Sequence, residues 1–343
     1  MKIALIGLPQ AGKRSLFTLL TGRSVPESRK PEETIEGIAW VRDPRVDALT
    51  KIFQPQKTAY AENNFVLCPD ATTGGESYEW LKAARRCHLV CLVLRAFEDE
   101  GVYHPAGSVN ADRDRGNLEA ELLLADMELV EKRLERLARE SKSGLNPEQE
   151  QEKTVLDKAM ACLEDNRCLR EMSLSQSERS TVRSLDLVTF LPVLSVYNVS
   201  EDDLGADFDD ATVAVSCQIE SEIAAIEDEG ERAEFLEALG LHSPGLDRVN
   251  SAAYEALGLM SYYTVGEDEC RAWTIRKGAS APEAGGVIHS DIERGFIRAE
   301  VMKYDDFIAA GSEAEARNRG HLATRGRDYI VEDGDIMHFL HKS

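Results

Sequence analysis

The Gly-rich stretch that begins at Gly7 and ends in Gly12-Lys13 contains the first residues that could do chemistry. It lies between a short apolar run, 2–6, and a stretch with helical spacing, 14–21. Glycines let the backbone turn tightly and aim N–H groups at phosphate oxygens, and a helix N-terminus adds a partial positive charge. The pattern therefore predicts a loop that holds a nucleotide through its phosphates, with Lys13 neutralising the terminal ones.

The residue after Lys13 departs from this pattern. Phosphate-binding loops carry Ser or Thr there because the hydroxyl binds Mg²⁺, whereas this chain has Arg14, followed by Ser15. Arginine has no lone pair to offer a metal. Its guanidinium either turns onto the phosphates and replaces part of the metal's charge, or points to solvent, which the helix dipole favours. A coincidental Gly-rich turn is the third alternative.

A second polar segment, from Asn198 through Val199 to Glu201, follows the apolar run over 187–197. Ligands of open α/β sheets bind at the carboxyl ends of the strands. A guanine site would use an Asp, and Glu201 with its extra methylene does not fit that position, whereas the Asn198 amide can pair with adenine. The segment predicts adenine recognition, with a helix-capping turn as the structural alternative.

The segments that must position these residues have the apolar patterns of buried strands, separated by helical segments. The apolar runs cover 2–6, 65–68, 88–97, 187–197 and 213–216. This alternation predicts an α/β fold with a doubly wound parallel sheet. Pro192 is expected at the entry of its strand. Residues 23–37 are polar, contain two prolines, and are expected to form a loop.

Two amphipathic patterns interrupt the alternation. The first spans 117–140 and the second runs from about 148 to 170, after a Gly-Leu-Asn-Pro turn. The first carries an apolar stripe of Leu123, Met127, Val130, Leu134 and Leu137. The two patterns predict an antiparallel helical hairpin over 113–185, inserted into a nucleotide-binding domain of 1–112 and 186–262. The stripes either pack against each other or bind a partner.

The last segment, 263–343, predicts a small α+β domain. Its strand-like runs are 271–276, 295–301 and 328–331, and one helical stretch covers 304–319. Its first half interleaves basic side chains with Trp273 and Phe296, a pattern that fits either RNA contact or an ordinary core.

Charge and cysteine content restrict the partners. Of the net charge of −22, residues 186–262 supply −15, with 17 Asp+Glu against 2 Lys+Arg. That segment repels polyanions, so RNA would have to contact other parts of the chain.

Seven cysteines without a C-x-x-C pair indicate reduced thiols rather than a disulfide framework or a structural zinc site. The apolar runs are too short to span a bilayer. We expect a cytoplasmic monomer without membrane contact.

These residues together resemble the Obg-like, YchF-type P-loop ATPases over nearly the whole chain. The resemblance is strongest towards the C-terminus, in Arg271-Ala-Trp-Thr-Ile-Arg-Lys-Gly, Gly286-Val-Ile-His-Ser-Asp-Ile-Glu-Arg-Gly and Asp333-Gly-Asp-Ile-Met-His-Phe. Other stretches that carry it are 2–20, 93–109, 118–137 and 198–201. It implies a G-type domain with an inserted hairpin and a C-terminal ubiquitin-like β-grasp (TGS) domain over 263–343.

The resemblance also implies roles for single residues. His104 stands in the position of the favoured catalytic residue, Thr34 matches the switch threonine, and Ser216 begins the turn on the base side. Asp70 could hold a metal through water. The implied ligand is ATP, with GTP as the alternative. The implied partner is the ribosome, with RNA contact by a cleft between the hairpin and the β-grasp domain.

Departures from the family pattern lie at the phosphate loop and beyond it. The family's loop reads Gly-x-Pro-Asn-x-Gly-Lys-Ser-Thr, so Gln10, Arg14 and Ser15 replace Asn, Ser and Thr. The stretch Asp70–Thr73 lacks the glycine that ends the family's γ-phosphate segment, although Gly74 follows.

We therefore expect a divergent adenine-nucleotide-binding, ribosome-associated protein. Its hydrolysis is weak or absent because Arg14 replaces the Mg²⁺-binding serine. Two alternatives stay open. The first is a nucleotide-independent scaffold with a vestigial loop. The second is a slow ATPase that uses His104, with Ser15 or Asp70 rescuing the metal.

Overall fold

The structure, a computed structural model, describes residues 1–28, 30, 32–75, 78–204, 212–241 and 243–342. The chain forms two compact units, one of residues 1–38 and 64–249 and the other of 39–63 and 250–343. The three-domain division predicted from the sequence remains a prediction. None of the helices formed by the described residues combines the length and hydropathy needed to span a bilayer.

Strands and helices alternate along the chain. The strands are β1 (Lys2–Ile6), β2 (Ile35–Val41), β3 (Lys57–Ala59), β4 (Ala61–Leu67), β5 (Leu89–Arg95), β6 (Val193–Asn198), β7 (Thr212–Val215), β8 (Leu259–Thr264), β9 (Glu269–Arg276), β10 (Phe296–Lys303), β11 (Ala323–Arg325) and β12 (Asp335–His341). The helices are α1 (Lys13–Thr21), α2 (Pro44–Phe53), α3 (Ala111–Glu140), α4 (Pro147–Glu164), α5 (Gln176–Val182), α6 (Cys217–Ala225), α7 (Glu229–Ala238), α8 (Gly245–Ala256), α9 (Ala281–Ile288), α10 (Ser290–Gly295), α11 (Tyr304–Ala310) and α12 (Glu313–Asn318).

The first sheet has the strand order β2-β4-β1-β5-β6-β7. β1 pairs in parallel with β4 and β5, and β6 pairs in parallel with β5 and β7. Every residue of β5 is buried, as expected for a central strand covered on both faces. The predicted α/β class with a parallel sheet is thus confirmed. Because the strands are parallel, the loops after β1, β4, β5, β6 and β7 meet at one edge.

The helical hairpin consists of α3 and α4 and belongs to the first unit. Val130 and Leu137 of the predicted stripe are buried against Val155, Leu156 and Ala159 of α4, so the stripe packs between the two helices. Both oxygens of Glu152 accept from the Arg133 guanidinium, at 2.7 and 2.6 Å.

The second unit contains the sheet β11-β10-β12-β8-β9-β3. β10 pairs antiparallel with β11 and β12, β8 pairs antiparallel with β9, and the β12–β8 and β3–β9 pairs are parallel. Its core includes Tyr262, Ala284 and Phe296. The β-grasp assignment of this unit remains a prediction.

Several predicted boundaries were wrong for local reasons. The expected loop over 23–37 gives way to β2 at Ile35, which the sequence hides because the exposed Ile38 and Trp40 blur the strand's alternation. The strand expected from 187 begins only at Val193, because Pro192 has no N–H to donate and residues 188–190 form a 3₁₀ turn.

Further differences concern helices and the last strands. α4 ends at Glu164 rather than near 170, and the helix expected over 304–319 is split at Gly311, which takes φ 75°. Residues 328–331 form a single bridge, Ile330 to Ser280, rather than a strand. β11 and β12 were not predicted, because β11 has only three residues and β12 begins after a turn at Gly334.

Candidate functional site

A cavity of about 800 Å³ lies at the carboxyl edge of the first sheet. Its wall is formed by the loops after the five parallel strands of the first unit and by the starts of α1 and α6. The lining residues are Pro9, Gln10, Gly12, Lys13, Arg14, Ser15, Asp70, Phe97, Glu98, Asp99, Val102, Asn198, Val199, Ser200, Glu201, Ser216, Cys217, Gln218 and Ser221. The volume lies within the range of small-molecule sites, roughly 300–1,000 Å³.

The loop between β1 and α1 requires glycine at two positions. A Cβ on Gly7 would lie 2.2 Å from the carbonyl oxygen of Val93 on β5. Gly12 takes φ 95°, and a Cβ there would lie 2.2 Å from Nδ2 of Asn198. Gln10 also takes a left-handed conformation, φ 60°, which Asn tolerates better than Gln. The loop therefore approaches its neighbours as closely as a phosphate cradle requires.

Lys13 is turned into the loop, and its side chain is 4% exposed. Its Nζ donates to the carbonyl oxygens of Gly7 at 2.6 Å and Leu8 at 3.0 Å, and to Oδ1 of Asp70 at 2.6 Å. The two carbonyl bonds hold the ammonium at the mouth of the loop. The ion pair with Asp70, a half-exposed carboxylate, gives that ammonium an anion within the cavity wall.

Arg14 and Ser15, the first residues of α1 after Lys13, are both exposed and both line the cavity. The Arg14 side chain has only hydrogen-bond donors and cannot ligate a metal ion. The side-chain oxygens that could ligate one at this end are those of the Ser15 hydroxyl and the Asp70 carboxylate. Within the described residues there is no cluster of three His, Cys, Asp or Glu side chains that could hold a metal ion. Lys13 competes for the Asp70 oxygen, so the donor set present fits a directly bound Mg²⁺ poorly.

Asn198, the last residue of β6, ties the two halves of the cavity together. Its Nδ2 donates to the carbonyl oxygen of Ala11 at 3.2 Å, and its Oδ1 accepts from the N–H of Cys217 at 3.1 Å. Ser216 caps α6 through the N–H of Ile219 at 3.5 Å. Asn198 lies in the cavity wall, but it caps neither neighbouring helical element, since Ser216 precedes α6 and Ser200 precedes the 3₁₀ turn. Its role in adenine recognition stays a prediction.

Val199 and Glu201 line the cavity beside Asn198. Val199 is buried, whereas Glu201 is exposed at the start of a 3₁₀ turn. The structure therefore brings the predicted base-side residues to the same cavity as the phosphate loop.

Three predicted residues are not among those that line the cavity: Gly7, which packs against the Val93 carbonyl of β5, Thr34 and His104. Thr34 is exposed just before β2. His104 is 7% exposed, and its Nε2 lies 2.9 Å from Oδ2 of Asp114 at the start of α3. It lies behind the phosphate loop, beside Leu8 and Ala11. A catalytic role for His104 thus requires its loop to move, and the roles of Thr34 and His104 stay predictions.

The glycine that follows the Asp70 segment has a partner of its own. The N–H of Gly74 donates to Oε1 of Glu121, a buried carboxylate on α3, at 2.5 Å. The segment after β4 is thereby attached to the hairpin helix.

The cavity includes residues that were not predicted as site residues. Phe97, Glu98, Asp99 and Val102 follow β5, and their position at the carboxyl end of a buried strand was the signal that could have found them. Cys217 also lines the cavity, and burial raises the pKa of its thiol to about 12.

The aromatic residues of the basic segment in the second unit are not equally available to RNA. Phe296 is a core residue, 4% exposed. Trp273 is half-buried, its Nε1 donates to the Thr264 hydroxyl, and the Arg271 guanidinium covers its ring at 4.5 Å. The core interpretation holds for Phe296, and the basic side chains remain as the candidate RNA contacts.

Comparison with known proteins places the chain in a family. A family model, YchF-GTPase_C, described as a protein of unknown function (DUF933), matches residues 259–342. The chain is 37% identical to the ribosome-binding ATPase YchF of Escherichia coli O157:H7, over 99% of this chain and 98% of that protein. It is 38% identical to the ribosome-binding ATPase YchF of Bacillus subtilis (strain 168), over 98% and 97%. The chain belongs to the YchF family.

A solved structure of the Schizosaccharomyces pombe YchF GTPase agrees with this assignment. It matches with a TM-score of 0.83 at 30% identity, over 99% of this chain and 97% of that one. YchF membership confirms the resemblance predicted from the residues, and it makes the chain a P-loop NTPase by family. The names of these YchF relatives differ in the nucleotide, ATP for the two bacterial proteins and GTP for the yeast protein.

Proposed function

We propose that this chain is a divergent YchF protein that binds an adenine nucleotide, associates with ribosomes and hydrolyses ATP slowly or not at all. The observation that carries the proposal is the cavity that joins the phosphate loop to the Asn198 segment. Its two ends carry different chemistry. Lys13 supplies a cation at one end, and Asn198, Glu201 and Ser216 supply polar groups at the other.

The phosphates would lie at the start of α1. The helix N-terminus and the glycine-rich backbone favour an anion there. Lys13 keeps its bonds to the loop carbonyls, which leave the ammonium facing the cavity, and exchanges Asp70 for a phosphate oxygen. Because Asp70 is half exposed, its carboxylate is readily solvated when Lys13 leaves it.

Weak hydrolysis follows from Arg14. Mg²⁺ supplies charge neutralisation across the β- and γ-phosphates in proteins of this class. Here the side chain of the residue after the lysine has no oxygen, so the metal loses its direct side-chain ligand. The exposed Arg14 supplies positive charge at the cavity mouth, which supports binding of the phosphates without replacing the ligand geometry of a metal.

Adenine specificity rests on the residues after β6. The guanine-specific arrangement needs a carboxylate at a fixed distance from the base, and Glu201 lies on a 3₁₀ turn with one methylene more than Asp. The Asn198 amide, fixed by Ala11 and Cys217, presents polar atoms at the same wall. We therefore expect ATP to bind more tightly than GTP.

Titration calorimetry tests the proposal with ATP, ADP and GTP, each with and without Mg²⁺. We expect a heat of binding for ATP in both conditions, a weaker one for GTP, and at least a tenfold weaker affinity for ATP in Lys13→Ala. Arg298→Ala, an exposed arginine of the second unit, is the control and should bind as the wild type does. No heat of binding in any condition would remove the proposal and leave the scaffold alternative.

A slow ATPase is the second candidate, since the Ser15 hydroxyl and the Asp70 carboxylate line the same cavity. It requires Mg²⁺-dependent phosphate release that is lost in Lys13→Ala and in His104→Ala. Arg14→Ser separates the two candidates. If Arg14 prevents metal binding, the substitution raises ATP turnover several-fold. If Ser15 or Asp70 already binds the metal, ATP turnover does not change.

A further inference from the structure

Arg95, the last residue of β5, is 2% exposed, and one loop takes up the bonds of its guanidinium. Nε donates to the carbonyl oxygen of Phe97 at 3.1 Å, and Nη2 donates to that of Asp99 at 3.1 Å. Nη1 donates to the carbonyl oxygens of Val102 at 2.9 Å and Tyr103 at 3.3 Å. The guanidinium also lies over the Phe97 ring, 4.7 Å from its centroid.

The loop that these bonds hold, residues 97–103, has no regular secondary structure. Apart from the bond of the Val102 N–H to the Asp99 carbonyl, its carbonyl groups do not have the regular partners that a helix or sheet would give them. The planar guanidinium, with five N–H donors in a fixed fork, can bind several of them at once. Lysine has one nitrogen and cannot reproduce that geometry.

The same loop forms part of the cavity wall. The side chains of Phe97, Glu98, Asp99 and Val102 line the cavity beside the phosphate loop. At the far end of the loop, Nε2 of the buried His104 lies 2.9 Å from Oδ2 of Asp114 on α3. Contacts within the protein thus hold the wall at both ends.

We propose that Arg95 is a positioning residue that forms this wall of the nucleotide cavity before the nucleotide binds. The inference rests on the proposed nucleotide-binding function and adds a residue that touches no part of the ligand. A preformed wall raises affinity because the ligand does not have to order the loop. Without the guanidinium, the nucleotide has to order residues 97–103 itself.

Arg95→Lys tests this with two readouts, calorimetry with ATP and hydrogen exchange of the 97–104 segment. We expect an affinity at least about tenfold weaker, and faster exchange confined to that segment. Arg248→Lys is the matched control. Arg248 is a half-buried arginine of the same unit that donates to the carbonyl oxygen of Ala214 at 3.1 Å and does not line the cavity. We expect wild-type affinity and exchange there.

Guanidinium rescue separates positioning from simple stabilisation of the fold. In Arg95→Ala, millimolar methylguanidinium should restore part of the ATP affinity and slow the exchange of residues 97–104. Wild-type affinity in a folded Arg95→Lys protein would overturn the proposal.

The wild type supplies a test that needs no variant. The amides of Gly101 and Val102, which donate to Asp99, should already be protected without nucleotide, and ATP should add little protection. A segment that exchanges freely until ATP is added would overturn the proposal, even if the variants fail to fold. A wild type that binds no nucleotide would overturn the proposed function, while exchange in the nucleotide-free protein would still decide whether Arg95 orders the loop.

Discussion

Gly12 and Asn198 are 186 positions apart in the chain, yet they are in direct contact in the wall of the cavity. The close approach is possible because glycine has no Cβ, and the Asn198 amide occupies the space that a Cβ would need. The amide in turn connects the loop carbonyl of Ala11 with the first N–H of α6. The absence of a side chain at Gly12 thus allows the loop between β1 and α1 to be held against the end of β6 and the start of α6.

Gly12→Ala should lower the free energy of unfolding by about 1–3 kcal/mol, because φ 95° is strained for alanine and the new methyl group displaces Asn198. Urea denaturation measures the change. Gly116→Ala on α3 is the control, since a Cβ there meets no atom within 4 Å and the helix gains up to about 1 kcal/mol. Equal effects of the two substitutions would contradict the proposed contact.

Cys217 should be unreactive although it lines the cavity. Burial raises the pKa of its thiol to about 12, so its thiolate fraction at pH 8 is roughly a thousandfold below that of an ordinary cysteine. The protonated form is the stable one up to that pKa, so alkylation should rise about tenfold for each pH unit between 8 and 10. Iodoacetamide labelling followed by mass spectrometry measures the rate, with the urea-unfolded protein as the control. Fast labelling of folded Cys217 at pH 8 would disprove the burial.

The roles of single residues could be predicted from the sequence where they depend on neighbouring residues in the chain. Gly7, Gly12 and Lys13 could be predicted because their spacing between a strand and a helix has one physical purpose. The burial of His104 against Asp114 could not, because it depends on where α3 starts relative to the phosphate loop. The role of Arg95 could not be predicted either. Its partners are backbone carbonyls, and because every residue has one, no residue type marks them in the sequence.

A buried carboxylate on α3 attaches the hairpin to the rest of the first unit. Asp126 is fully buried and accepts from Arg85 Nη1 at 2.6 Å. It also accepts from the N–H groups of Val188 at 3.2 Å and Thr189 at 2.8 Å, and from the Thr189 hydroxyl at 2.7 Å. These bonds give the 3₁₀ turn before β6 its N–H partners, and they fix α3 against that turn.

Asp126→Ala should therefore cost about 3–5 kcal/mol, because it leaves a largely buried guanidinium and two buried N–H groups without their acceptor. The comparison is Asp157→Ala on α4, which removes an exposed pair with Lys153 and should cost about 0.5 kcal/mol or less. Denaturation curves of the two variants and the wild type decide the matter. A loss below 1 kcal/mol in Asp126→Ala would show that the hairpin is held by apolar packing instead.

Helices and strands with a clear pattern of apolar residues could be predicted from the sequence. Those whose bounds depend on contacts with distant residues could not. β5 and the two hairpin helices carry continuous or helical apolar patterns, which burial produces directly. The start of β6 was missed because Asp126, 62 residues before Val188, binds the N–H groups of residues 188 and 189. The edge strand β2 was missed because an edge strand with exposed apolar side chains has no clear alternation.

The distribution of charge along the chain restricts which surfaces could make the proposed contact with a ribosome. Residues 186–262 carry a net charge of −15, so that surface is repelled by RNA. The basic side chains of the second unit, among them the exposed Arg276 and Arg298, are the better candidates for phosphate contacts.

Arg276→Gln with Arg298→Gln should weaken ribosome binding and reduce the slope of log affinity against log salt by about 2, one for each lost phosphate contact. Co-sedimentation over a series of salt concentrations gives that slope. The control is Glu234→Gln with Glu237→Gln in the acidic segment, which should leave the slope unchanged. An unchanged slope in the arginine variant would exclude these two contacts.

The most direct measurement of the central claim is a crystal structure with a non-hydrolysable ATP analogue. The account predicts the triphosphate at the start of α1, with Lys13 Nζ moved from Asp70 to a phosphate oxygen and adenine beside Asn198. An empty cavity at saturating analogue, with the Lys13–Asp70 ion pair intact, would contradict it.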